Sequence, residues 1–292
     1  MKTNNKFNYI ILFLIITGVF ILSSCADPVP TDYIEQKFVE AYLLVNEPIK
    51  DIVLMNTQPV ADSFSYANSL IRDADVKIIG DGQVFELKID TGGDQGYYYP
   101  DSTYLVKPNT HYKLQITIPG YPDTIYAETT TPGTIKYLSP ELDSLYYPKD
   151  TINLPPLDTY RLEWEKVPDI NFYIITVKCL DTLYYGKYLH PPTDEMNRRV
   201  FKPYSEGARG KEITNTMFVP NTKVPVVWLF FKWFGLQQVS VYAPDPNYLN
   251  WVIQHLTKNQ YDSKLSNIKK GLGVFGSASV ARGTTFLIKN QP

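Results

Sequence analysis

The chain has 292 residues, 28 basic and 30 acidic, for a net charge of −2, so no basic footprint points to nucleic acid. It contains only two cysteines, and 23 tyrosines and 22 prolines favour a strand-rich, loop-rich extracytoplasmic protein over a disulfide scaffold.

The chain opens with a leader. Lys2 and Lys6 precede an apolar run from Tyr9 to Leu22. At about 14 residues the run is short for a membrane crossing and suits a secretory signal. Leu22-Ser23-Ser24-Cys25 then resembles a bacterial lipobox. That resemblance implies cleavage before Cys25, diacylglycerol on its thiol and an acyl group on its new amino terminus. Several acyl chains anchor stably where one does not. Residues 1–24 are therefore set aside from the fold, and 25–36, with Asp27 to Asp32 reading DPVPTD, is a stiff lipidated tether.

From Lys37 the chain alternates and breaks at short intervals, as sandwich strands do. Phe38 to Val45 is a strand. Val76–Ile79, Asp81-Gly82 and Val84–Ile89 read as a hairpin, because Asp-Gly suits a two-residue turn with positive φ. Short strands follow around Tyr97–Tyr99, from His111 and from Thr124, ending at Pro132-Gly133. About seven strands over 37–133 predict an immunoglobulin-like sandwich. Residues 134–157, rich in Pro, Ser and Asp, read as a linker or an irregular edge.

A second β-sandwich is expected over 158–292. Leu162 and Trp164, then Tyr173 to Val177, resemble the early strands of a fibronectin type III domain. Leu189 to Asn215 is polar and loop-like. VPVVWLFFKWFG, Val224 to Gly235, reads as one or two buried strands, with an exposed aromatic surface as the sharper alternative. Asp245 and Pro246 cap a helix over about 246–258, with Tyr248, Trp251, Val252, His255 and Leu256 at helical spacing, packed across the end of the second sandwich. Two further strands close the chain, split near Arg282-Gly283.

Several motifs carry chemistry elsewhere. Gly271 to Gly276 reads GLGVFG and fits the dinucleotide fingerprint, but that site needs a following helix and an acid about 20 residues on. Only 16 residues follow Gly276, none of them Asp or Glu, so the glycines read as a bulge or close packing under the helix. Asp90-Thr91-Gly92 matches the aspartic-protease triplet without a second copy and reads as a turn. His111, His190 and His255 are isolated, which disfavours a metal. Cys179, on the alternating face of Tyr173, Ile175 and Val177, reads as a buried apolar side chain. No catalytic, cofactor or metal residue is assigned. Candidates for a partner surface are Trp228, Phe231, Trp233, Tyr184 and Tyr185, with Tyr97–Tyr99 and Tyr188 as further aromatics.

The order of parts resembles a known family. After the lipobox come FVEAYLLVNEP, DADVKIIGDGQVFELKID and YLVKPNTHYKLQITIPGYPDTIYAETTTP. YLNWVIQHL and NIKKGLGVFGSASVARGTTFLI follow near the end. This is similar to the Bacteroidota lipoprotein family catalogued as domain of unknown function four-two-four-nine, with the Leu189–Phe234 region divergent. The resemblance implies an outer-membrane or surface lipoprotein with an accessory role beside a TonB-dependent receptor, and it transfers no catalytic residue. A non-enzymatic binding protein is the leading expectation. A cell-envelope hydrolase with an unrecognised site, or a structural or adhesive surface protein, remains open.

Overall fold

The computed structural model describes residues 33–59, 62–92, 96–139, 143–150, 161–200, 214–257 and 263–290. The leader, the lipobox at Leu22–Cys25 and most of the tether lie outside them. Residues 36–57 and 65–292 form one compact unit. In the other, 1–35 and 58–64, the described residues carry no helix or strand.

The larger unit is mainly β. Its principal sheet has the order β12 (Thr214–Val219), β11 (Tyr173–Cys179), β14 (Gly235–Pro244), β15 (Leu272–Ile288), β1 (Lys37–Leu44) and β2 (Val53–Asn56), with β9 (Ser144–Tyr146) paired to β15. A second sheet runs β4 (Gln83–Glu86), β3 (Asp75–Gly80), β7 (His111–Thr117), β8 (Ile125–Thr130). Two ribbons complete it: β5 (Lys88–Ile89) with β6 (Tyr97–Tyr98), and β10 (Arg161–Glu163) with β13 (Lys223–Pro225). The expected hairpin forms, and its turn residues Asp81 and Gly82 have φ of 51° and 73°.

The buried residues fall into two cores. The first gathers Val39, Leu43, Ile78, Tyr112, Leu114 and their neighbours, together with Ile268 and Phe275. The second gathers Trp164, Tyr173, Ile175, Trp228, Phe234 and Leu287. Trp164 and Tyr173 meet edge-on at 5.3 Å in this core.

The chain path departs from a strictly sequential division. Instead of two closing strands, β15 is one strand of 17 residues. Its first part pairs in parallel with β1, Phe38 with Leu272 through Leu44 with Ala278. Its later part pairs antiparallel with β14, Ala278 with Pro244 through Leu287 with Gly235. Ile268 and Phe275, expected in the second sandwich, thus join the first core. The expected linker also changes: β9 pairs with β15 by Phe286–Ser144, and Ile135, Leu145 and Tyr147 are buried in the second core.

The helix Pro246–Thr257 starts where its cap predicts, but its place differs. It covers the outer face of the principal sheet rather than the end of a sandwich. On β1, Val39, Ala41 and Leu43 point to the first core, leaving Phe38, Glu40 and Tyr42 on the opposite face. There Trp251 meets Phe38 at 5.7 Å, and Tyr248 meets Tyr42 at 5.0 Å. Covered by the core on one side and the helix on the other, β15 is buried on both faces from Gly273 to Ser279. His255 and Leu256 are exposed, so the packed stripe ends a turn earlier than the spacing suggested.

Candidate functional site

The residues after β11 build a braced loop. Asp181 follows Cys179 by two positions, and its Oδ1 accepts hydrogen bonds from the amides of Leu183 and Tyr184, both at 2.9 Å. Its Oδ2 accepts from Lys187 Nζ at 2.5 Å and from the Tyr188 hydroxyl at 3.2 Å. Burial works to raise the pKa of this carboxyl, but Lys187 and the two amides outweigh it and hold the group at about 2. The Asp181 carbonyl accepts from Asn197 Nδ2 at 2.6 Å, which ties the outgoing limb to the returning one.

The returning limb pairs back. Tyr184 bridges Met196, and the Asn197 amide donates to the Leu183 carbonyl at 2.8 Å. Arg199 bridges Trp233, and the Val200 amide donates to the Lys232 carbonyl at 3.0 Å, so the base of the loop is fastened to the 232–234 segment. On this stiff frame Leu180, Leu183, Tyr184 and Met196 stand 43%, 53%, 54% and 58% exposed. Lys187 lies 5.4 Å from the Tyr184 ring centre. Four large apolar side chains on a braced loop suit contact with a partner, since little conformational freedom is left to lose there. The nearby thiol is not a nucleophile: Cys179 is buried, burial raises its pKa, and its Sγ lies 3.3 Å from the Asp181 carbonyl.

Beside the second core lies an apolar pocket of about 70 Å³, partly open to the surface. Ile175, Val177, Val239 and Thr285 line its sheet side, and Leu162, Val224, Val226 and Phe230 line the other. The apolar run from Val224 therefore roofs a cavity. β13 ends at Pro225, and a 3₁₀ turn, Trp228–Phe230, arches over.

The five expected surface aromatics divide. Tyr184 is exposed and Trp233 half-buried. Trp228, Phe231 and Tyr185 are buried in the second core, which corrects the surface reading for those three. Trp228 packs edge-on to Tyr147 at 5.6 Å, so its ring stabilises the fold and is closed to a partner. Tyr97 is likewise buried, with its hydroxyl donating to the Ile71 carbonyl at 3.0 Å. Sequence reasoning missed Leu180, Leu183 and Met196. Their signal was only single apolar residues between strands, and without the Asp181 brace they look like ordinary loop residues.

The other motifs serve the fold. Each glycine of GLGVFG admits a close backbone neighbour. A Cβ on Gly271 would meet the Lys37 carbonyl, and one on Gly276 would meet the Tyr248 amide under the helix. Gly273 has φ of 108°, and a Cβ there would collide with the Val39 backbone. The Asp90 carboxylate accepts from the Gly92 amide at 2.9 Å and closes its own exposed turn. Among the described residues no group of three His, Cys, Asp or Glu could hold a metal ion, and no helix is long and apolar enough to cross a membrane.

The family model of a domain of unknown function, DUF4249, matches residues 27–284. No curated protein matches the chain. With nearly its whole length covered, the chain belongs to the DUF4249 family.

Proposed function

We propose that this DUF4249 member is a lipid-anchored protein of the cell envelope that works by binding, as an accessory to an outer-membrane partner of the TonB-dependent receptor type. Cys25, behind Leu22-Ser23-Ser24, supplies the anchor. The observation that carries the binding role is the braced loop, where the Asp181 network holds Leu183, Tyr184 and Met196 outward. Aromatic and Met side chains are enriched where proteins meet.

Two experiments test this. A photo-crosslinking amino acid placed at Tyr184 or Met196 in producing cells should yield an adduct whose second component is identified as an outer-membrane receptor. The same group at Tyr126, exposed on β8, should not. Equal adducts from both places, or none from the loop, would sink the docking role. For the anchor, Cys25→Ala should abolish labelling by a radioactive fatty acid and release the protein from membranes.

A further inference from the structure

The middle of β15 has one open edge. On one side β14 pairs with it from Ala278 to Leu287. On the other side β1 pairs in parallel as far as Leu44 with Ala278, and β9 pairs in parallel from Ser144 with Phe286. Between them, among the described residues, Ser279 to Thr285 has no strand beside it on that edge. β1 stops because the chain turns at Asn46, whose φ is 64°, and the Glu47 amide bonds back to the Leu44 carbonyl. The edge is taken up again where the Phe286 amide donates to the Asp143 carbonyl at 3.0 Å.

The free groups fall at ladder spacing. In an antiparallel pair each residue turns its N–H and C=O to the same side, and successive residues alternate. The Ala278 carbonyl accepts from the Val45 amide and the Phe286 amide donates to Asp143, so the even-numbered residues between them face away from β14. Val280, Arg282 and Thr284 thus turn their amides and carbonyls into the gap, and among the described residues none of these groups has a hydrogen-bond partner. Arg282 and Thr284 are exposed, so the gap is reached from solvent. Its two faces differ. On the inner face Gly283 presents no side chain, and Gly283, Thr284 and Leu145 of β9 line the apolar pocket beside the second core. On the outer face Arg282 pairs with Glu47.

We propose that this gap is a strand-addition site for a short extended peptide of another protein, with an aliphatic residue at its centre. About five residues, at about 3.3 Å each, fill the space between the ends of β1 and β9. The peptide backbone bonds Val280, Arg282 and Thr284. Its central side chain passes over Gly283 into the pocket, and its neighbours, beside Arg282 and Thr284, are polar. A small ligand matches one or two of the free groups, whereas an extended backbone meets them all at their own spacing. The same edge of a second copy does not fit, because the ends of β1 and β9 flank the gap in each copy and hold two such edges apart. The site is separate from the braced loop and depends on neither the membrane anchor nor the receptor.

The test uses the full chain in nanodiscs and fluorescein-labelled heptapeptides, read by anisotropy. The probes are a Ser/Thr peptide with a central Leu, the same peptide with a central Asp, and two N-methylated forms of the Leu peptide, one methylated at the odd amides and one at the even. The Leu peptide should bind saturably and slow amide exchange at Val280, Arg282 and Thr284. Asp at the centre should weaken it by about tenfold or more. One N-methylated form should lose binding and the other keep it, because only alternate amides face the gap. Thr284→Pro removes a free donor without touching the β14 ladder, and should weaken the Leu peptide by about fivefold or more. If that variant fails to fold, the N-methylated pair asks the same question from the peptide's side. A Leu peptide that does not bind saturably, equal behaviour of the two N-methylated forms, or exchange slowed only outside Val280–Thr284 would each overturn the proposal.

Discussion

Replacing Asp245 by alanine should destabilise the protein far more than replacing it by asparagine. Asp245 is 4% exposed and joins three elements. Its Oδ1 accepts from the Tyr248 amide at 2.8 Å, capping the helix, and from the Ser277 amide at 3.0 Å on β15. Its Oδ2 accepts from the Thr129 hydroxyl at 2.7 Å on β8. Alanine removes the cap, worth about 1 kcal/mol. It also orphans the buried Ser277 amide, at about 1–3 kcal/mol, while the Thr129 hydroxyl can turn its proton to Ser277 Oγ at 2.9 Å. The expected loss is about 2–4 kcal/mol, or about 4–16 °C in Tm for a chain of this size. Asparagine keeps a carbonyl oxygen for both amides. Its NH₂ meets Thr129, which can turn its proton to Ser277 Oγ at 2.9 Å, while Ser277 Oγ donates to the Thr130 carbonyl at 3.2 Å. Asp245→Asn should therefore cost about 1 kcal/mol or less at neutral pH. Burial raises the Asp245 carboxyl above its ordinary 3.8, against the hydrogen bonds from Ser277, Tyr248 and Thr129 that favour the anion. Its contribution is whole below 3.8 and is lost as pH rises through the folded-state value. Asparagine has no such loss, so Asp245→Asn should gain on the wild type as pH rises through that range. Urea unfolding followed by circular dichroism at several pH values measures all of this. If Asp245→Ala lies within about 1 kcal/mol of wild type, or matches Asp245→Asn, the network argument is wrong.

Other expectations are equally direct. Gly273→Ala should lower stability by about 2 kcal/mol or more, because the alanine Cβ would meet the Val39 backbone at a φ of 108°; faster amide exchange along β1 is the readout, and unchanged protection there would count against it. The depressed pKa of Asp181 stabilises the braced loop above 3.8, and that stabilisation should disappear as pH falls toward about 2, seen as faster exchange at the Leu183 and Tyr184 amides. Cys179 should resist a thiol reagent in the folded protein and react on unfolding; rapid reaction in the native state would contradict its burial.

What the sequence could reveal followed the range of the physics involved. Asp81-Gly82 specifies its turn within two residues, and Asp245-Pro246 specifies a helix start within four, so both are visible locally. The pairing of β1 with β15 joins opposite ends of the chain. No short-range pattern encodes it, and the family resemblance gave order without pairing. Leu145 and Tyr147 sat in a Pro- and Asp-rich stretch whose composition argued for a linker, and tertiary burial overrode it. The composition of VPVVWLFFKWFG left burial and an exposed aromatic surface both open, and Trp228, Phe231 and Phe234 are buried. It could not foretell the arch, in which β13 ends at Pro225 and the 3₁₀ turn Trp228–Phe230 follows.

The fate of GLGVFG shows why a motif needs its approaching partner named. Glycines at that spacing permit something to come close to the backbone. In a dinucleotide site the close body is a pyrophosphate at a helix N-terminus. Here the Lys37 carbonyl, the Val39 backbone and the Tyr248 amide approach Gly271, Gly273 and Gly276 in turn. Two of these neighbours belong to β1 and one to the helix, so the three glycines set how tightly the strand and the helix close on β15. The Asp245 network fastens the same region, since Ser277 lies next to Gly276 and bonds the residue that caps the helix. A bulkier residue at Gly276 would push against Tyr248, three positions from that cap. The motif and the cap are thus two parts of one junction, and substitutions at Gly276 and Asp245 should be non-additive because they strain the same helix start.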